Sequence, residues 1–131
     1  MRLLLDTHVA IWAILDDPRL TPAGRALIID PLNTVVVSVA SIWEIAIKHA
    51  LGRTGPNAMP LAGDEALADF RASGYTILAI TAEHATAVSS LPAHHADPFD
   101  RLLVAQASVE TLRLVTADRR VAAYDMSTVM L

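Results

Sequence analysis

Short runs of apolar residues alternate along the chain with segments whose apolar positions recur at helical spacing. The segments 2–5, 34–38 and 75–80 are nearly continuous in Leu, Val and Ile, which is typical of parallel strands covered on both faces. Segment 114–116 is a shorter run of the same kind, and 127–131 predicts a last edge strand. Together these segments predict a sheet of about four to five strands.

Helices are predicted between these strands, and capping residues indicate where several of them begin. The predicted helices cover residues 7–15, 22–29, 41–51, 61–73, 81–90, 98–111 and 118–124. Ser41 and Glu44 match a capping box, so the third helix is expected to begin at Ser41 and to end before Gly52. Asp97 followed by Pro98 predicts the N-cap and first position of the sixth helix.

Strands alternate with helices from one end of the chain to the other. This order predicts the α/β class, as a three-layer α/β/α sandwich around a central, mainly parallel sheet. With 131 residues, the chain is expected to form one domain that spans residues 1–131.

Composition excludes several classes of protein. The absence of cysteine excludes disulfides, thiolate nucleophiles and cysteine-based zinc sites. The longest stretches without a charged side chain, 31–43 and 84–96, fall short of the ~18 residues that a transmembrane helix needs. Asp6 also interrupts the N-terminal apolar run too early for a signal peptide, so a cytoplasmic protein without membrane contact is expected. The net charge of −4 argues against a broad surface for duplex DNA but does not exclude nucleic acid.

Four acidic residues lie beside predicted strand ends or in the first helical turns that follow. Asp6 and Asp118 directly follow strands, whereas Glu44 and Asp100 lie in first turns. In open α/β folds, ligands bind beyond the carboxyl ends of the strands, where the strand order reverses. If the four carboxylates converge, their repulsion raises some of their pKa values and destabilises the fold unless a divalent cation neutralises them. Carboxylates favour hard ions such as Mg²⁺ or Mn²⁺.

Each acid also has a purely structural explanation. Asp6 and Asp118 are well placed as N-caps of the helices that follow them. Glu44 suits either the capping box or an i, i+4 ion pair with Lys48, and an acid in a first turn, such as Asp100, favours the positive helix end. Glu44 is nevertheless the only charge within a long apolar segment, so its carboxylate requires a partner.

The histidines and tryptophans are expected to have packing or surface roles. Most of the histidines lie in predicted helices without ligand-like spacing, and two adjacent ones in a loop rarely reach the same ion. The histidines are His8, His49, His84, His94 and His95. Trp12 and Trp43 are expected to belong to the core rather than to a ligand platform.

Four short segments occur in a characteristic order: LLDTH at 4–8, SIWEIAIK at 41–48, DPFDRLLVAQA at 97–107 and LVTAD at 114–118. The third is the most specific, because an Asp-Pro-Phe-Asp-Arg sequence before an apolar helix is much rarer than a lone acid near a strand. Together the segments resemble the PIN-domain ribonucleases, specifically the VapC-like toxins of type II toxin–antitoxin systems. The resemblance covers nearly the whole chain.

The resemblance implies a metal-dependent endoribonuclease whose products carry 5′-phosphate and 3′-hydroxyl ends. Asp6, Glu44 and Asp100 match the three acids that hold Mg²⁺ or Mn²⁺ in this family, and Asp118 matches a more variable fourth acid. Thr116 matches a hydroxyl residue often found beside that site. All four acid positions are filled, as an active enzyme requires.

Further residues and partners follow from the same resemblance. Asp97 fits the motif of this subgroup but is assigned first to helix capping. Arg101, Arg119 and Arg120 are the candidates for contacts with the RNA substrate, since a few arginines along the approach allow an acidic protein to bind RNA. A homodimer and a cognate VapB-like antitoxin are implied, in a heterotetramer or larger complex. The predicted loop at 53–60, with the helix that follows, is expected to shape the antitoxin groove.

Three other functions fit the same pattern less well. A phosphoacceptor receiver domain needs a lysine on a late strand, and the only lysine, Lys48, lies in a predicted helix. A non-catalytic PIN-like scaffold that binds RNA or protein would be favoured by a missing acid, and none is missing. A PIN-like RNA-processing nuclease outside toxin biology remains the nearest alternative, although the short chain and the third segment favour the toxin.

Overall fold

Five parallel strands form the centre of the fold, and helices cover both faces of the sheet. The computed structural model describes residues 1–124 and 128–131. The strands are β1 (Arg2–Leu5), β2 (Thr34–Ser38), β3 (Thr76–Leu78), β4 (Arg113–Thr116) and β5 (Val129–Met130). The α-helices are α1 (Thr7–Leu15), α2 (Pro22–Ile29), α3 (Val39–Ala50), α4 (Gly63–Ala72), α5 (Ala82–Ala87), α6 (Pro98–Glu110) and α7 (Arg119–Ala122). The predicted three-layer α/β/α architecture is confirmed.

The alternation of side chains along β1 explains why this strand is apolar at consecutive positions. Leu3 and Leu5 belong to the core that α1, α2 and α4 cover, whereas Leu4 belongs to the core beneath α6 and α7. Because both faces of the strand are buried, no polar alternation is seen in the sequence. No helix in the described part of the chain is long and apolar enough to cross a membrane.

The strand order β3-β2-β1-β4-β5 places the point of reversal between β1 and β4. These two strands pair in parallel, with Leu4 opposite Leu114, although most of the chain separates them in sequence. The backbone N–H of Asp6 donates to the carbonyl of Val115 at 3.0 Å, which joins the carboxyl ends of the two strands. Ligand crevices form at such reversal points in open α/β sheets.

Local capping sets most of the helix boundaries. The bounds of β1, α1, α2 and β2 agree with those predicted. The Thr21 hydroxyl accepts a hydrogen bond from the N–H of Gly24 at the start of α2. Asp97 caps α6, since its Oδ1 accepts from the N–H groups of Phe99 and Asp100 at 2.9 and 3.1 Å. Both caps are made by residues close in sequence, and the sequence pattern therefore located them.

The predicted start of the third helix at Ser41 is wrong. Helix α3 begins at Val39, and Ser38 is its N-cap, with its hydroxyl accepting from the N–H of Ala40 at 3.0 Å. Ser41 instead accepts a hydrogen bond from the hydroxyl of Thr7 at 2.9 Å. The chain passes from β2 into α3 without a loop, so Ser41 is already the third residue of the helix.

The remaining differences concern the ends of elements and two short 3₁₀ turns. Helix α4 begins two residues later than predicted, and β3 is shorter than segment 75–80. The helix predicted over 81–90 ends at Ala87 and continues as a 3₁₀ turn, and the loop at 53–60 contains another. The 3₁₀ turns are Val88–Ser90 and Gly55–Asn57. The last predicted strand is present as β5, while Ser127 lies outside the described residues.

Candidate metal centre

Asp6 and Thr116 meet where β1 and β4 end. The Asp6 carboxylate is buried, and it caps α1 because its Oδ1 accepts from the N–H of Val9 at 3.2 Å. Its Oδ2 accepts a short hydrogen bond from the Thr116 hydroxyl. Burial raises the pKa of Asp6, and the hydrogen bond from Thr116 partly opposes this effect. Asp6 is therefore both a helix cap and a member of the site.

Asp118 is connected to Asp6 through the same hydroxyl. The backbone N–H of Asp118 donates to Thr116 Oγ1 at 3.0 Å. Asp118 also accepts from the backbone N–H of Arg120 at 2.8 Å and lies 3.2 Å from the Arg120 guanidinium. Burial acts to raise the pKa of Asp118, but the hydrogen bonds from Arg120 together lower it. Thr116 thus positions two carboxylates at the reversal point.

Glu44 approaches from α3 and is almost completely buried, with 3% of its surface exposed. Its Oε2 lies 2.5 Å from Lys48 Nζ, which is the i, i+4 pair that the sequence allowed. Its Oε1 is buried without a hydrogen-bond partner among the described residues. A buried carboxylate oxygen without a donor is energetically unfavourable, so this atom requires a partner such as a cation.

Asp100 lies in the first turn of α6, where several other charged side chains affect its pKa. Burial is the largest effect and raises the pKa of Asp100 to about 7, with further contributions from the carboxylates of Asp97, Asp6 and Glu44. His95 acts in the opposite direction. The repulsion shows that acids from separate helices and strands converge on one centre.

His95 belongs to this centre, so the packing or surface role predicted for it is wrong. Its Nε2 lies 2.8 Å from Asp100 Oδ2 and 3.7 Å from Asp118 Oδ2, although the geometry is not that of a hydrogen bond. Its Nδ1 accepts from the N–H of Asp97 at 3.4 Å, so Nε2 is the ring nitrogen that faces the carboxylates. The available sequence signal was its position two residues before the motif at Asp97.

Arg101 holds the loop that carries His95. Its guanidinium donates to the carbonyls of Pro92 and Val88 at 3.0 and 3.2 Å and to the hydroxyl of Tyr124 at 3.0 Å. The Tyr124 hydroxyl in turn accepts from the N–H of His95 at 2.7 Å. The Arg101 guanidinium therefore supports the loop that carries His95, and its contact with RNA stays a prediction.

The packing and core positions predicted for other aromatic residues are only partly confirmed. His84 is fully buried beside Glu110, with Nε2 3.0 Å from Oε1, in agreement with a packing role. Trp12 is partly buried against the core, as expected, but it also lines two surface cavities. Trp43 is 54% exposed and lies edge-on to Phe99, so the prediction of a core position for Trp43 is wrong.

The donor set fits a hard divalent cation. Ligand atoms of His95, Asp100 and Asp118 lie within 4.8 Å of one another, and Asp6 and Glu44 act on Asp100 electrostatically. Carboxylate oxygens, with at most one imidazole nitrogen, suit Mg²⁺ or Mn²⁺. The Glu44 oxygen that has no hydrogen-bond partner among the described residues and the raised pKa of Asp100 both favour binding of a cation at this centre.

An acidic centre of this kind at the reversal point of a parallel sheet defines a class of α/β proteins suited to divalent metals. Within that class, the PIN domain family model matches residues 3–126. The chain belongs to the PIN domain family. No curated protein sequence matches it.

Solved structures that contain a chain with a similar fold include a toxin–antitoxin complex. One of these structures is that of VapBC2 from Rickettsia felis bound to a DNA fragment from the VapBC2 promoter. It matches with a TM-score of 0.67 at 15% identity, and the match covers 100% of this chain and 98% of that one. A toxin–antitoxin complex from Klebsiella pneumoniae gives 0.64 at 20% identity, with 98% and 96% covered. FitAcB from Neisseria gonorrhoeae gives 0.62 at 19% identity, also with 98% and 96% covered. At these identities, the likeness is one of fold.

Proposed function

We propose that this single domain is a metal-dependent endoribonuclease toxin that a cognate antitoxin inhibits. The observation that carries the proposal is the convergence of Asp6, Glu44, Asp100 and Asp118 at the reversal point of the sheet. Membership of the PIN family and the similarity to chains of VapBC complexes support the same function. A cytoplasmic location follows from this proposal.

The proposed reaction is hydrolysis of an RNA phosphodiester bond. Bound Mg²⁺ or Mn²⁺ supplies an activated water and offsets charge on the phosphoryl oxygens. Asp6, Glu44 and Asp100 would hold the ion, with Asp118 as a further ligand. Thr116 orients Asp6 through its hydroxyl, and His95 places its Nε2 beside Asp100 and Asp118. The expected products carry 5′-phosphate and 3′-hydroxyl ends.

Cleavage of total RNA by antitoxin-free protein tests this function. We expect discrete fragments with Mg²⁺ or Mn²⁺, and their loss in EDTA and in an Asp100→Asn variant. Sequencing of the ends shows whether they carry 5′-phosphates. A folded protein that binds Mn²⁺ but cuts neither total RNA nor RNA from its source cell would contradict the proposal.

Arg119 and Arg120 are proposed to contact the RNA near the acids. Arg119 is exposed, whereas Arg120 already holds Asp118 through its backbone and guanidinium groups. Replacing both with alanine should weaken RNA binding while the affinity for metal is kept. Arg119→Ala alone is the cleaner test, because it leaves the contacts of Asp118 intact. Unchanged RNA binding in both variants would exclude the assignment.

The antitoxin is proposed to place its C-terminal segment in the groove near the acids. The loop at 53–60 is largely exposed and borders this region, so it and α4 are expected to shape the antitoxin site. Shortening the loop should weaken protection by the antitoxin without removing nuclease activity. Normal protection after the deletion would count against this role.

A homodimer is proposed through the outer face of α3. Four apolar residues at i, i+4 spacing along this face are 37–56% exposed: Val39, Trp43, Ile47 and Leu51. An apolar cavity of about 280 Å³, lined by Phe99 and Leu102, adjoins Trp43. Such patches are typical of protein interfaces. Ile47→Glu should shift the particle measured by light scattering from dimer to monomer, and a heterotetramer or larger complex is expected with antitoxin.

A further inference from the structure

An open groove leads away from the acidic centre along α1. It consists of two cavities of about 580 and 330 Å³ that share His8, Trp12 and Arg19. The larger cavity is also lined by Asp6 and Asp118, so the groove begins at the proposed site of cleavage. We call these two joined cavities the α1 groove.

Positive charge is concentrated in the α1 groove. Five of the ten Lys and Arg residues in the chain line it, although the net charge of the protein is −4: Arg19, Lys48, Arg53, Arg119 and Arg120. Three of them also form ion pairs, Arg19 with Asp17, Lys48 with Glu44 and Arg120 with Asp118. Among the described residues, 1–124 and 128–131, no carboxylate lines the smaller cavity. An acidic protein that gathers its cations along one groove is suited to an anionic ligand there.

Trp12 and Arg19 form a rigid platform where the two cavities meet. The Arg19 guanidinium carbon lies 5.4 Å from the centre of the Trp12 ring. Asp17 holds this guanidinium through Nε at 3.1 Å and Nη2 at 2.7 Å, while the Arg19 side chain stays 64% exposed. The centroid of the His8 ring lies 6.2 Å from the centroid of the Trp12 ring. Bases of single-stranded nucleic acid stack on such indole and guanidinium planes.

We infer that the α1 groove binds single-stranded RNA on one side of the scissile phosphate. A base stacks on the Trp12–Arg19 platform, the Arg19 guanidinium also contacts the adjoining phosphate, and phosphates further along pass Lys48 and Arg53. The inference rests on the proposed nuclease function and deepens it, since it assigns a binding path to residues outside the acidic centre. Continuity with that centre and the stacking surface favour RNA as the occupant, and the antitoxin proposed to bind beside the loop at 53–60 would then cover the same path.

Binding of fluorescein-labelled octauridylate in EDTA tests this path without cleavage. Arg19→Ala should lower the affinity and reduce the slope of log K against log salt by about 0.7, the value for one lost phosphate contact on a single strand. Trp12→Leu, which keeps an apolar side chain, should weaken binding about 5-fold or more. Arg71→Ala is the matched control, because Arg71 is an exposed cation on α4 that lines neither cavity.

A spectroscopic readout locates the base directly. In a Trp43→Phe background, Trp12 is the only tryptophan, and octauridylate should quench its fluorescence. Thermal unfolding of each variant identifies any loss of folding, and the exposed Arg19 provides the test if Trp12→Leu is unstable. On a cleaved RNA target, Arg19→Ala should raise KM several-fold more than it lowers kcat.

The outcomes separate this inference from the nuclease proposal. Unchanged affinity, salt slope and quenching in the Arg19 and Trp12 variants would overturn the α1 groove as an RNA path. The same holds if these variants lose antitoxin binding alone, which would make the groove an antitoxin site. A protein that binds octauridylate through Arg19 and Trp12 but never cleaves RNA would support the groove and contradict the nuclease function.

Discussion

Neutralising Asp100 should stabilise the metal-free protein while removing its function. Burial and the neighbouring carboxylates raise the pKa of Asp100 from its ordinary value of 3.8 to about 7. The Asp100→Asn substitution keeps the shape of the side chain and removes the negative charge that the neighbouring carboxylates repel. The same change deletes a proposed metal ligand, so stability and metal binding are expected to move in opposite directions.

The size and the pH dependence of this effect follow from the pKa of Asp100. A difference of about three pKa units corresponds to about 4 kcal/mol, since each unit corresponds to about 1.4 kcal/mol. Asp100 keeps some contact with solvent, which screens part of the repulsion, so a stabilisation of about 1 to 2 kcal/mol is expected. Because the folded-state pKa is the raised one, the unfolded chain ionises first, and the wild type loses stability as pH rises from about 4 to about 7. The gain from Asp100→Asn should therefore be larger at pH 8 than at pH 5.

Urea denaturation in EDTA measures the free energy of unfolding at both pH values. Asp69→Asn serves as the control, because Asp69 is an exposed acid on α4 and the change in net charge is the same. Added Mn²⁺ should raise the Tm of the wild type but not that of Asp100→Asn. Destabilisation by Asp100→Asn at pH 8, or an equal gain in Asp69→Asn, would refute the argument that carboxylate repulsion at this centre weakens the apoprotein.

Two further substitutions test the scaffold of the site. Thr116→Val removes the hydroxyl between Asp6 and the N–H of Asp118, so it should destabilise the protein by about 1 to 3 kcal/mol and lower cleavage. Thr116→Ser keeps the hydroxyl and should retain both stability and cleavage. Equal losses in both variants would argue against a role of the hydroxyl. A Cβ on Gly63 would lie 2.8 Å from the Cβ of Ala46. Gly63→Ala should therefore reduce the free energy of unfolding by about 1 to 3 kcal/mol. Adding Ala46→Gly to the same chain should restore part of the lost stability. Chemical denaturation measures both effects, and additivity of the two changes would show that α3 and α4 are not in close contact at this point.

Sequence pattern predicted the fold well because most of its signals are local. The bounds of α1 and α2 agree with prediction, since each helix begins at a cap made by residues one turn away. The continuous apolar run of β2 indicated a strand covered on both faces. Where prediction failed, as at the start of α3, a hydroxyl had two possible partners. Ser41 could cap a helix locally, but Thr7 from a distant part of the chain engages it instead.

The candidate site divides in the same way. Asp6, Glu44, Asp100 and Asp118 were identified from their places beside strand ends and in first turns, and the tertiary structure supplied their convergence. His95 was missed because its approach to Asp100 depends on how Arg101 folds the preceding loop. The sequence also did not indicate that Asp6 can cap α1 and belong to the metal centre at the same time.

The sequence by itself determined the element types, the α/β class and the four acidic positions, because apolar periodicity and caps act over a few residues. Only the tertiary structure decided which polar groups face one another. The i, i+4 pair of Glu44 with Lys48 is local, but distant segments bury Glu44 and leave its second oxygen without a hydrogen-bond partner among the described residues. The α1 groove also depends on distant segments, since Arg19 and Arg53 line one cavity although a strand and two helices separate them in sequence. Contacts between distant segments form only when the whole chain packs, and local pattern does not specify them.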